Sequence, residues 1–163
     1  MSERHPIIAI TGSSGAGTTS VTRTFENIFR RDGVQAAIIE GDSFHRYDRQ
    51  EMKLRMAQAE RDGNGHFSHF GPENNLFAEL EQLFHGYAES GSGRHRTYLH
   101  NDEEAAPYKQ EPGTFTPWTE LSGESDMLFY EGLHGAYADD KINVASKVDL
   151  LIGRPVDPAQ VAL

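Results

Sequence analysis

An α/β fold, a parallel sheet flanked by helices, is predicted for this 163-residue chain by three observations. Apolar runs at 6–11, 34–40 and 127–130 read as strands buried on both faces. Stretches of helical pattern separate these runs, which is the alternation a parallel sheet requires. Each run ends in a segment rich in glycine, acid or imidazole, and open parallel sheets bind ligands at the carboxyl ends of their strands. The length suits one domain with a single core.

The first strand leads into Gly12-Ser13-Ser14-Gly15-Ala16-Gly17-Thr18-Thr19-Ser20. A phosphate-binding P-loop reads glycine, four residues, glycine, lysine, then serine or threonine. Gly12 and Gly17 are in place and Thr19 fills the hydroxyl position, but Thr18 stands in the lysine slot. Glycines allow close backbone approach to a ligand. Consecutive N–H groups form an anion nest, and the next helix adds its positive end. All nine residues from Gly12 to Ser20 are therefore candidates for holding phosphates, with Thr19 aimed at a magnesium ion. A ligand-free glycine turn is the alternative, disfavoured by the strand before and the helix after. Val21, Phe25, Ile28 and Phe29 mark one apolar face of that helix.

The second strand, 34–40, ends in Gly41-Asp42-Ser43-Phe44-His45-Arg46. Transfer of phosphate to an alcohol needs a carboxylate that orients the hydroxyl and accepts its proton. Asp42 stands where such a base belongs; a helix cap or Asx turn is its other reading. Residues 49–61 have helical composition. Arg49 and Lys53 are one turn apart, facing either a common anion or solvent.

Residues 63–75 read as a loop. Leu76, Leu80, Leu83, Phe84 and Tyr87 mark an amphipathic helix, stopped by the glycines at 91 and 93. Residues 96–100 are expected as a short strand and 101–125 as irregular. The third strand ends in Glu131, a position suited to magnesium, which takes few carboxylates together with phosphate oxygens and water. Residues 148–152 read as a further strand.

The net charge of −10 argues against nonspecific nucleic-acid binding, which needs a basic surface. Absence of cysteine excludes disulfides, thiolate metal sites and thiol switches. No apolar run approaches a membrane span, and the first residues lack a signal-peptide core. A soluble, cytoplasmic protein is expected.

These segments together resemble the bacterial, Calvin-cycle phosphoribulokinases, a family with the P-loop nucleoside triphosphate hydrolase-type kinase fold. Its P-loop is similar to Gly12-Ser13-Ser14-Gly15-Ala16-Gly17-Thr18, with a hydroxyl residue in the lysine slot. The segments 40–45, 66–70, 93–100 and 129–135 also resemble family blocks, and the likeness runs from about residue 5 to Gly153. The resemblance implies ATP-dependent phosphorylation of ribulose 5-phosphate at its 1-hydroxyl, giving ribulose 1,5-bisphosphate. It implies Asp42 as catalytic base, and His45, Arg49 and Lys53 as contacts to the sugar phosphate. Tyr98 and His100 would line the same pocket, and Glu131 would serve Mg2+ and ATP. His134 falls in a family block without an assigned role. The resemblance further implies a homo-oligomer responding to NADH and AMP, with Arg31 at a position linked to that control.

After Gly153 the likeness stops. The family continues with something like Val-Val-Pro-Val-Ile-Asn-Leu-Glu-Trp, whereas residues 154–163 differ. One coding of this tail, read one base over, restores Val-Pro-x-Ile-x-Leu-x-Trp. A kinase portion at 1–153 followed by a frameshifted tail is therefore expected. The family's lid, with a lysine, arginines and an aspartate near the phosphates, belongs beyond this point. Weak ATP binding and little turnover are expected of these 163 residues alone. The alternatives are a uridine-kinase-like or pantothenate-kinase-like enzyme, and a non-catalytic nucleotide-binding fragment.

Overall fold

The computed structural model describes residues 5–12 and 18–153, with Thr18 and Thr19 described by their backbone alone. Its main elements are β1 (Ile7–Thr11), α1 (Thr18–Asp32), β2 (Ala36–Glu40), α2 (Arg49–Arg61) and α3 (Phe77–Ser90). There follow β3 (Arg94–His95), α4 (Asp102–Ala105), β4 (Thr119–Glu120), β5 (Met127–Gly132) and β6 (Leu150–Gly153). Four strands form a parallel sheet in the order β2-β5-β1-β6, with β5 between β2 and β1. The predicted α/β class and parallel sheet are observed.

Side chains alternate across this sheet, as the pleat requires. Leu128 and Tyr130 of β5 and Ile7 and Ala9 of β1 face α3, meeting Leu80, Leu83, Phe84 and Tyr87. Met127 and Phe129 of β5 and Ile10 of β1 face α1, where Phe25 and Phe29 lie with their rings 5.2 and 5.3 Å from that of Phe129. Both faces of the central strands are thus covered, which is why those strands read as unbroken apolar runs. Ile28, predicted on the buried face of α1, is instead 37% exposed.

Strand boundaries differ from expectation: β5 runs on to Gly132 and β6 spans Leu150–Gly153 rather than 148–152. Val34 and Gln35 precede β2: the Val34 N–H closes the end of α1 by donating to Phe29, and the Gln35 N–H donates to the Asp126 carboxylate. Residues 96–100 do not form a regular strand. Only Arg94 and His95 pair with β4, after which a single bridge joins Tyr98 to Phe115. Leu99 then exchanges backbone bonds with Gly113 and Thr114, so the segment runs on as an irregular arm. Within 101–125, Asn101 caps the one-turn helix α4 by accepting from the Glu104 N–H. No helix among the described residues is long and apolar enough to cross a membrane.

Candidate active site

The register of the sheet brings the candidate groups together. Glu131 is aligned with Glu40 on one side and Ile10 on the other. Two carboxylates therefore finish neighbouring strands, one step from the end of β1, where the glycine-rich segment departs. The chains after β2 and β5 come unusually close. A Cβ on Gly41 would lie 2.6 Å from the Tyr130 hydroxyl and 2.9 Å from Cα of Gly132. Only a residue without a side chain fits this gap.

Gly41 begins a 3-10 turn, Gly41–Phe44, whose Ser43 and Phe44 are buried. This turn holds Asp42 at the surface of the cleft. The Asp42 carboxylate caps no helix. It meets His45 instead, with Oδ1 at 3.3 Å from Nε2.

Asn75 fixes the protonation of His45. The Asn75 amide nitrogen donates to the carbonyls of His69 and Gly71, so its oxygen is free to accept. That oxygen lies 2.9 Å from Nδ1 of His45, which must therefore carry a proton. Nε2 needs a second proton to bond the Asp42 carboxylate. The pair is thus built for imidazolium and carboxylate. Burial lowers the affinity of His45 for its proton, but the bonds to Asp42 and Asn75 outweigh it and the pKa is raised. The same bond from His45 lowers the pKa of Asp42 against a smaller burial effect. Glu40 moves the other way: burial raises its pKa, partly offset by His100.

The irregular arm supplies the opposite wall. Nε2 of His100 lies 3.6 Å from Glu40 and 4.0 Å from Asp42. The Tyr98 ring stands edge-on to that of His100 at 4.8 Å. Arg49, first residue of α2, donates from Nη2 to the His100 carbonyl at 2.8 Å and lies beside the Tyr98 ring. Its own N–H bonds the carbonyl of Gly113, where φ is +86° and a Cβ would meet Arg49 at 2.7 Å. Lys53 is exposed one turn further along α2. Asp42, His45, Arg49, Tyr98 and His100 thus form one cluster.

His134 flanks it, with Nε2 at 3.2 Å from the Phe70 carbonyl. Burial lowers its pKa, partly offset by that contact. Arg31 sits near the other end of α1, about 20 Å along the helix from its start, and is exposed and paired with Asp32 at 2.8 Å. Residues 13–17 and 154–163 lie outside the described residues, and so do the side chains of Thr18 and Thr19.

Among the described residues no group of three or more histidines or carboxylates is placed to hold an ion. Glu131, near the end of β5 and level with Glu40, supplies a single carboxylate; magnesium in general takes few carboxylates together with phosphate oxygens and water.

Three contributors carried no assigned role on sequence grounds. Glu40 ends a strand as Glu131 does, a signal present in the sequence. Asn75 had none, lying 30 residues from His45 in a segment that looked like plain loop. Arg96 stands behind the Asp42 turn and donates to the carbonyls of Ser43 and His45.

Comparison with known proteins places this cleft in context. The family model described as "Phosphoribulokinase / Uridine kinase family" matches residues 7–160. The chain is 71% identical over 153 residues to the chromosomal phosphoribulokinase of Cupriavidus necator, covering 94% of this chain and 52% of that protein. Among solved structures, phosphoribulokinase from Rhodobacter spheroides superposes with a TM-score of 0.81 at 46% identity, over 92% of this chain and 50% of that one. A possible uridine kinase from Bacillus stearothermophilus shares the fold, at 16% identity and a TM-score of 0.59, over 98% of this chain and 76% of that one. The chain spans about half the length of the curated relatives it matches. A parallel sheet with its acids at the strand ends, a lysine-less glycine loop and this match across most of the chain lead to one conclusion: the protein belongs to the phosphoribulokinase / uridine kinase family.

Proposed function

We propose that this chain carries the acceptor site and the glycine-rich nucleotide segment of an enzyme that phosphorylates ribulose 5-phosphate at its 1-hydroxyl with ATP. The observation that best supports this is the Asp42–His45 pair, an ionised carboxylate beside a cation, standing at the strand ends next to Glu131. Its high identity to proteins named phosphoribulokinase supports this acceptor over uridine.

In this proposal Asp42 accepts the proton of the acceptor hydroxyl as its oxygen bonds the γ-phosphorus and the bond to the bridging oxygen breaks, releasing ADP. Asp42, with its pKa lowered by the bond from His45, is ionised at neutral pH, as a proton acceptor must be. His45 as imidazolium, with Arg49 and Lys53, binds the 5-phosphate, while Tyr98 and His100 hold the sugar. Residues 12–20 cradle the nucleotide phosphates, and Thr19 and Glu131 hold Mg2+. ATP with Mg2+ supplies the phosphoryl group and neutralises much of its charge when bound. With Thr18 in the lysine slot, the cation facing the transferred group must come from elsewhere. Regulation by NADH and AMP around Arg31, oligomer formation and a cytoplasmic location belong to the same proposal.

The test is transfer of labelled γ-phosphate from ATP to a panel of ribulose 5-phosphate, uridine and pantothenate, with each acceptor's binding measured in parallel. Binding of ribulose 5-phosphate but not uridine, and any transfer going to ribulose 5-phosphate alone, is expected. Transfer to uridine at an equal or greater rate would overturn the proposal.

A further inference from the structure

We infer that Arg96 is a positioning residue for the Asp42–His45 pair, its guanidinium clamping the backbone of the turn that aims both side chains into the cleft. Nε donates to the Ser43 carbonyl at 2.9 Å and Nη2 to the His45 carbonyl at 2.5 Å. These carbonyls flank Phe44, and Ser43 and Phe44 are each 2% exposed, so water has little access to the turn. Buried carbonyls need a donor, and one planar fork serves both.

The fork is itself fixed. Its carbon lies 3.6 Å from the Phe115 ring centre and 4.7 Å from that of Trp118. Trp118 also packs edge-on against Phe44, the residue between the two clamped carbonyls. Stacking holds the guanidinium plane and cation–π attraction offsets part of its desolvation. Burial lowers the Arg96 pKa to about 10, with Glu79 opposing, so the group stays charged at neutral pH. Arg96 gives these donors to backbone carbonyls of the turn and rests its plane against Phe115 and Trp118. It therefore acts through Asp42 and His45 and not on substrate. A lysine would keep the charge but lose both the planar fork and the stacked plane.

The role of the pair rests on the proposed function, but the clamp does not. The test is therefore the NMR titration of the His45 ring in Arg96→Lys, read beside ribulose 5-phosphate affinity by calorimetry. Around His45 stand Asp42, Arg96, His69 and His134 as charged or titratable neighbours. Arg96→Lys preserves the charge, so any change reports geometry. We expect the His45 midpoint to fall toward the ordinary value of 6.5 and the dissociation constant to rise about tenfold. An unchanged midpoint and affinity in folded Arg96→Lys would overturn the inference. Should that variant not fold, Trp118→Leu, which keeps Arg96 but removes one of the two rings that hold its plane, decides by the same readouts. Failure of the unaltered chain to bind ribulose 5-phosphate would count against the proposed function alone, leaving the titration to judge the clamp.

Discussion

Nε2 of His45 stands 3.3 Å from Oδ1 of Asp42, and Nδ1 of the same ring is held by the Asn75 amide oxygen. This relay gives two adjacent groups opposite charges and opposite pKa shifts. The chemistry proposed for the cleft depends on it.

Replacing Asp42 with Asn removes the proton acceptor while keeping shape and polarity. Phosphate transfer to ribulose 5-phosphate is expected to fall by about 10²–10⁴, the usual worth of general base catalysis. In a radiolabel assay, retention of more than half the rate would rule out Asp42 as the base.

The pair also sets a pH dependence. His45 has a raised pKa, so its charge and its contribution to stability are complete below 6.5 and are lost as pH rises through the raised value. Asp42 has a lowered pKa, so its contribution is present above 3.8 and lost as pH falls through the lowered value. The Asp42 side chain is 55% exposed, which keeps the stability effect small. Ligand binding should show it better. Affinity for ribulose 5-phosphate is expected to weaken on the alkaline side of the His45 titration, and His45→Gln to flatten that limb. Calorimetry from about pH 6 to about pH 9 checks this.

Gly41→Ala tests the packing beneath the pair. The added Cβ meets the Tyr130 hydroxyl and the backbone of Gly132, so strand ends must part. A loss of about 1–3 kcal/mol is expected from overpacking, measured by urea unfolding, together with displacement of the His45 signals. A stability within experimental error of the unaltered chain would show that the turn yields freely.

Glu131→Gln should act on the nucleotide side alone. The Mg2+ concentration needed for half-maximal ATP binding is expected to rise roughly tenfold, with ribulose 5-phosphate affinity unchanged. Loss of acceptor binding in this variant would place Glu131 in the wrong half of the cleft.

Much of this cleft was legible in the sequence because buried parallel strands are apolar runs, so the first acid after each run marks a strand end. That logic found Asp42 and Glu131, and it reaches Glu40 equally well. The amphipathic spacing of Leu80, Leu83, Phe84 and Tyr87 likewise located α3 against the sheet. The limits appear where a partner is distant in the chain. Nothing local says that Asn75 orients His45, or that Arg96 reaches back 53 residues to Ser43. Tyr98 and Leu99 have strand-like character, yet 96–100 forms an irregular arm with a single bridge, Tyr98 to Phe115. Its backbone bonds go to the 113–116 loop, in a pattern set by tertiary context rather than propensity.

Ribulose 5-phosphate is proposed to bind between the Asp42 turn and the Tyr98–His100 arm. Histidine ring spectra of the 163-residue chain, recorded with increasing ribulose 5-phosphate, test it most directly. The His45 and His100 signals are predicted to move together to saturation, while His85, bonded to Ser146 on α3, stays fixed and uridine moves none of them. Unmoved His45 and His100 signals at millimolar ribulose 5-phosphate, or the same shifts with uridine, would contradict it.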